Sequence, residues 1–326
     1  MNNQKVSRPR RSIGCCSGCA MLLLLSICLT VAGVAMSYFV AGGIMHRQLL
    51  ERYPPPGKMV DVGGYNLHLY CLGQGSPTVV VDVQWSDSTP NWWNVQSRLS
   101  RTNRTCLFDS AGRAWSDRSP RPREIQVMAE EMHTTLTNAG ITSDYILLSE
   151  GEASLYARYY AWQHTKELRG LVLVTPVLAE PGEWAGFDRV NHLTWVMTTP
   201  FDVLTWLTSS GQKFSALVHK CDPSYTPEIC NLDNIWTYDI QDQRTVSAEL
   251  NLWVINNAVV DNAAINLGDL PLVVIYPKKF YGEESTKKLN ALFTLSTQST
   301  ALPQDEFYYR DRTPGVIVEA IRSLLR

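Results

Sequence analysis

The sequence predicts an α/β fold: a mostly parallel β-sheet covered by helices, interrupted by a helical insertion and preceded by one transmembrane helix. Three observations lead to it. From residue 58 onward, short Val/Ile/Leu-rich runs alternate with helical patterns, the order that builds parallel strands joined by crossover helices. A Trp-rich stretch over residues 180–269 breaks that rhythm. The run Ala20–Ala41, AMLLLLSICLTVAGVAMSYFVA, is apolar over a length that crosses a bilayer core of roughly 30 Å.

The 326 residues carry 29 basic and 31 acidic side chains, a net charge of −2. No basic surplus points to nucleic acid. Charged residues make up 18%, below the roughly 25% of soluble domains. The deficit sits at the N-terminus, where Ser12–Met45 contains no Asp, Glu, Lys, Arg or His. Lys5, Arg8, Arg10 and Arg11 precede the apolar run, so the positive-inside rule makes residues 1–19 cytoplasmic and 20–42 a signal anchor, with the remainder on the extracytoplasmic side. Arg47 and Arg52 follow the run and oppose that orientation. A cleaved signal peptide is the alternative. Its apolar region would span about 7–15 residues before a small-residue site, and this run is longer without such a site. Cys15, Cys16 and Cys19 flank the membrane, either as palmitoylation candidates in a eukaryote or as ordinary small flanking residues. Residues 43–57 read as a linker ending in the stiff spacer Tyr53-Pro-Pro-Pro-Gly57.

The exported part divides into 58–179, the insertion 180–269, and 270–326. Expected strands are Met59–Val62, Asn66–Cys71, Thr78–Asp82, Thr105–Asp109, Tyr145–Leu148, Leu171–Thr175 and Leu272–Tyr276. Four of these, beginning at Thr78, Tyr145, Leu171 and Leu272, are nearly continuous in Val, Ile and Leu, as strands covered on both faces must be. Expected helices are Asn91–Leu99, Arg123–Asn138, Ala153–His164, Glu284–Phe293 and Gly315–Leu325. Ile125, Met128, Met132 and Leu136 recur at spacings of three and four, an amphipathic stripe. The insertion holds Trp184, Trp195, Trp206, Trp236 and Trp253, read as packing rather than a ligand cage because aromatics dominate core burial. The exported cysteines are Cys71, Cys106, Cys221 and Cys230. An even count in an exported domain suggests two disulfides, with four buried free thiols as the alternative. Cys221 and Cys230 bracket a short, easily closed loop. Asn103-Arg104-Thr105 is a glycosylation sequon in a eukaryotic secretory pathway.

The segments YPPPGKMVDVGGYNLHLYCLGQGSPTVVVD, FDSAGRAWSDRSPRPR, AEEMHTTLTNAGI, LRGLVLVTPV and RDRTPGVIVEAIRSLL together resemble the α/β-hydrolase superfamily, in its membrane-anchored esterase and peptidase group. The resemblance covers nearly all of Tyr53–Arg326. It implies an eight-stranded, mostly parallel sheet with residues 180–269 as a cap. It also implies that Cys71 and Cys106 fall on neighbouring strands, which favours their pairing.

Acyl-transfer chemistry on this fold needs a Ser on a tight strand-to-helix elbow, a His base, an acid that orients the His, and an oxyanion loop. The resemblance aligns Ser149-Glu150-Gly151-Glu152-Ala153 with the elbow and puts Gly151 at the nucleophile position. Ser149 lies two residues early and Ser154 three residues late, and attack geometry tolerates little misplacement. The six histidines are His46, His68, His133, His164, His192 and His219; none lies near the C-terminus, where the resemblance puts Glu306, or a neighbour, at the position of the base. Candidate acid positions read Val174-Thr175-Pro176 and Ile275-Tyr276-Pro277, without a carboxylate. Asp109 and Asp117 belong to a loop that the family keeps for structure. In the oxyanion loop, glycines give way to Gln84, Ser86 and Asp87, and Trp85 crowds the space.

The sequence therefore leads to an α/β-hydrolase-like pseudoenzyme, a binding or accessory subunit of a membrane-associated assembly, with no cofactor, no nucleic-acid partner and no metal motif. Its expected partners are the bilayer, through residues 20–42, and a protein of the same membrane; a small-molecule ligand is a further option. Asp87, Glu150 and Glu152, with Glu306, are the candidate ligand-binding residues of the old pocket, suited to a cation or a basic group. The alternative is residual serine-hydrolase or esterase activity on small acyl substrates.

Overall fold

The computed structural model describes residues 14–83, 88–178, 226–237, 239–278, 283–305 and 314–325. A long helix, α1 (Gly14–Arg52), leads into β1 (Lys58–Asp61), β2 (Asn66–Leu72), β3 (Thr78–Asp82), a 3-10 turn (Thr89–Trp92), α2 (Trp93–Leu99), β4 (Thr105–Phe108), α3 (Ile125–Asn138), β5 (Tyr145–Glu150), α4 (Ala153–Gln163) and β6 (Leu168–Val174). The insertion contributes α5 (Pro227–Thr237) and α6 (Ile240–Asn262), followed by β7 (Leu272–Pro277), α7 (Glu283–Leu292), β8 (Ser299–Gln304) and α8 (Pro314–Ser323).

The strands form one sheet in the order β1-β2-β4-β3-β5-β6-β7-β8. The pairs β1–β2 and β2–β4 are antiparallel, and all others are parallel. Alternate residues of each strand feed opposite faces. Val80, Leu147, Leu171, Leu173 and Val274 pack against Met132, Leu136, Ala157 and Tyr160 of α3 and α4 and against Leu289 of α7. Val79, Val81, Ile146, Leu148, Val172 and Ile275 pack against Val95 and Leu99 of α2 and Ile317 and Ile321 of α8. Burial on both faces is why these strands read as unbroken aliphatic runs.

Seven strands lie within a few residues of their expected ranges. The eighth, β8, matches the strand number implied by the family resemblance but has no aliphatic run. Its sequence STALPQ sits at the sheet edge, is largely exposed and contains Pro303, which an edge strand accommodates. Strand β5 runs two residues past its aliphatic stretch, through the fully buried Ser149 and Glu150.

Cys71 and Cys106 face each other across β2–β4 and are disulfide-bonded. Cys230 is also disulfide-bonded; Cys221 lies outside the described residues. Asn103 is buried, with Nδ2 donating to the Pro77 carbonyl at 3.1 Å. A glycan would need that nitrogen at the surface, so the fold argues against the sequon as a modified site.

The linker reading of residues 43–57 requires correction. Helix α1 continues through Arg52, and its last turns dock on the domain. Met45 and Leu49 are buried, and Leu49 shares a cluster with Ala114, Trp115, Leu232 and Trp236. His46 Nδ1 lies 3.0 Å from Asp239 Oδ2, and Trp115 Nε1 donates to the Tyr53 carbonyl at 2.8 Å. The linker reading rested on the Pro run, which begins only after this docked segment. In the apolar part of α1, described side chains run unbroken only from Gly18 to Gly33. Among the described residues no helix is long and apolar enough to cross a membrane.

Candidate functional site

The carboxyl ends of β3, β5 and β6 lie side by side, with Asp82 paired to Ser149 and Glu150 to Val174. In open α/β sheets this edge is where ligands bind. The chain turns from β5 into α4 at Gly151, whose φ is +58°. That left-handed conformation costs an ordinary residue about 1 kcal/mol or more and costs glycine little. The turn is pinned from both sides: the Gly151 amide donates to the Val174 carbonyl at 2.9 Å, and the Gly151 carbonyl accepts from Val177 at 3.2 Å and Ser154 at 3.2 Å. The bend has the form of an elbow with only a hydrogen at its apex.

Ser149 and Ser154 are both fully buried. Neither hydroxyl has a hydrogen-bond partner among the described residues, and neither is at the apex. The four described histidines each engage an acidic group. His46 pairs with Asp239, His68 with Asp109, and both His133 and His164 with Glu167. His68 is fully buried, its Nε2 against the Pro56 carbonyl. His192 and His219 lie outside the described residues. Asp109 and Asp117 hold the loop after β4. Asp109 also takes a hydrogen bond from Thr89. Asp117 Oδ2 accepts from the Asn66 amide at 2.8 Å, and its carbonyl accepts from Gly112.

Of the candidate ligand-binding residues, Glu150 and Glu152 are described and both are buried, 0% and 2% exposed. Gln84, Trp85, Asp87 and Glu306 lie outside the described residues. Sequence reasoning missed the acidic groups that do gather here. Asp82 at the end of β3 senses Glu249 and Arg123, while Asp242 of α6 pairs with Arg113 at 3.2 Å. Asp82 ends its own predicted strand run, and that position was the available signal; Glu249 and Asp242 come from the insertion, which had no readable pattern.

Burial dominates the electrostatics. It pushes Asp82 well above the carboxylate range, with Glu249 adding and Arg123 opposing. It does the same to Glu150, reinforced by Glu152, and raises Asp242 to about 7 against the pull of Arg113. These groups bind more protons folded than unfolded. Their contribution to stability is therefore fully present below the ordinary carboxylate pKa and is lost as pH rises through the folded value, about 7 for Asp242. The unfolding temperature is expected to be higher at pH 6 than at pH 8. Glu150→Gln, which cannot ionise, is expected to raise it at pH 8 and narrow the gap; thermal melts of both proteins at the two pH values check this.

No family model matches the chain. It is 24% identical over 153 residues to the uncharacterized protein YbdG of Bacillus subtilis, covering 46% of this chain and 47% of that one. The chain thus spans about half the length of this curated relative. A thermophilic esterase from Thermogutta terrifontis, solved with malate bound, superposes with a TM-score of 0.60 at 17% identity, over 82% of this chain and 97% of the esterase. The enol-lactonase from Burkholderia xenovorans superposes with a TM-score of 0.60 at 14% identity, over 82% and 99%. Strand order, crossover helices, the insertion after β6 and these superpositions agree on one scaffold: the chain has the α/β-hydrolase fold.

Proposed function

We propose that this chain is a membrane-anchored α/β-hydrolase homologue that has given up acyl transfer and acts by binding, as an accessory subunit of a membrane assembly. One observation carries the reading: the strand-to-helix turn where the fold holds its nucleophile is made by Gly151 at φ +58°. Without a side chain there is no atom to attack a carbonyl. The described histidines are committed to acidic groups elsewhere, and no histidine follows His219. Fold alone does not confer activity.

The anchor rests on α1. Met21, Leu22, Leu23, Leu24, Leu25, Ile27, Leu29 and Val31 are all more than half exposed. An all-round apolar helix calls for an apolar surrounding, and Ala20–Ala41 has the length to be covered by lipid.

The test uses the full chain in its membrane. Wild type is expected to stay unlabelled by a fluorophosphonate probe and to leave short acyl esters intact. Gly151→Ser is also expected to stay silent, and to lose about 1 kcal/mol to backbone strain. Alkaline carbonate is expected to leave the protein in the membrane pellet, and mild detergent to release it with a stoichiometric partner identifiable by native mass spectrometry. Probe labelling of wild type that disappears in Ser149→Ala would establish a residual hydrolase instead.

A further inference from the structure

At the other end of the sheet, near the amino ends of β5 and β6, three side chains of metal-ligating type converge. His133 lies on α3, His164 caps the end of α4, and Glu167 immediately precedes β6. His133 Nε2 is 3.3 Å and His164 Nδ1 is 3.2 Å from the same Glu167 oxygen, Oε1. All three ligand atoms fall within 4.8 Å of one another. Zinc ligands at about 2.0–2.1 Å in tetrahedral array stand roughly 3.3–3.4 Å apart, so two edges of the triangle already have that length. We propose that His133, His164 and Glu167 form a site for a divalent first-row transition metal, zinc foremost. The inference is independent of the function proposed above.

The surroundings suit such a site. Two imidazole nitrogens and one carboxylate match the donor preference of zinc and its neighbours. The imidazole rings are stacked, centroids 4.0 Å apart at 14°, so their in-plane lone pairs run nearly parallel and a modest tilt of the partly exposed rings would bring both onto one ion. Glu167 is held by its amide, which donates to the His164 carbonyl at 2.9 Å. Its second oxygen, Oε2, accepts from Tyr145 at 3.4 Å, and Tyr145 is bonded to Tyr160 at 2.6 Å. These contacts orient a metal-binding carboxylate in the way outer-shell groups do. The three side chains are 21–35% exposed, which leaves an entry path and room for water on the metal. Bound there, the ion would staple α3 to the α4–β6 turn.

The test is calorimetric titration of the detergent-solubilised full chain with Zn2+. Wild type is expected to bind at this site and to gain unfolding temperature, reversed by chelator, since a ligand of the native state stabilises it. The double variant His133→Ala/His164→Ala is expected to bind that equivalent at least about 100-fold more weakly, and Glu167→Gln, which preserves the side chain's shape, about tenfold or more. The chain has eight cysteines, some of which can bind zinc as thiolates. Co2+ spectra therefore serve as a second readout: ligand-field bands without thiolate charge transfer are expected. Equal Zn2+ affinity and stoichiometry in wild type and the double variant, or no binding by wild type, would overturn the proposal.

Discussion

Replacing Arg123 by Ala is expected to destabilise the domain by about 3–5 kcal/mol, the usual cost of breaking a buried ion pair from one side. Arg123 precedes α3 and is almost completely buried. Its Nη1 donates to Glu131 of α3 at 2.6 Å and its Nε to Glu249 of α6 at 3.3 Å. Tyr65 donates to the other oxygen of Glu131 at 2.6 Å. Without the guanidinium, two buried carboxylates lose their cation and Asp82 loses an opposing charge. Burial already raises Glu249, and Arg123 is the main group holding it down. The variant should therefore relieve part of its defect by protonation, and its deficit should be smaller at pH 5.5 than at pH 8. Urea unfolding at both pH values measures this. A deficit that does not change with pH would exclude the carboxylates as its source.

Trp236→Ala should cost a similar amount, about 3–5 kcal/mol, through the cavity left by a large buried side chain. Trp236 is 1% exposed and packs edge-on against Trp115, centroids 5.0 Å apart, and against His46 at 6.2 Å. Leu49 and Leu232 belong to the same cluster. The loss should appear locally as well as globally. Arg47 and Arg52 are exposed on the docked end of α1, and limited trypsin digestion should cut beside them faster in the variant. Leu22→Ala, on the exposed apolar stretch, should leave both the melt of the domain and the digestion pattern unchanged.

Much of the sheet was legible because a strand covered on both faces has to be aliphatic along its buried run, as Val79–Val81 and Leu272–Ile275 are. Helix α3 was legible through its three-and-four stripe. Strand β8 lacked such a pattern because an edge strand buries little. The docked turns of α1 were read as a linker because their partners, Trp115 and Trp236, lie far along the chain and no periodicity connects them. The same distance hid the tie between cap and core. Asn256 of α6 accepts from the Ile125 amide at 3.0 Å and donates to the Arg123 carbonyl at 3.1 Å, so the insertion supplies the hydrogen bond at the start of α3 that Glu124 does not make. At the elbow, aligned motifs brought Gly151 to the right turn. They did not reveal that Glu150 and Glu152 would be buried, because charge in a sequence carries no burial signal. The His133–His164–Glu167 cluster was equally hidden: its residues come from two helices and a turn, and only the pair at 164 and 167 is local.

Since α1 runs without a break into the turns docked on the domain, a rotation of the rod about its axis is passed to the body. A torque applied anywhere on the apolar segment, by a neighbouring helix gripping it, would swing α5 and α6 through the same angle. Which flank of the sheet such a neighbour meets would be decided by the helical phase of the rod, and inserting a single residue into it should rotate the whole head by about 100°.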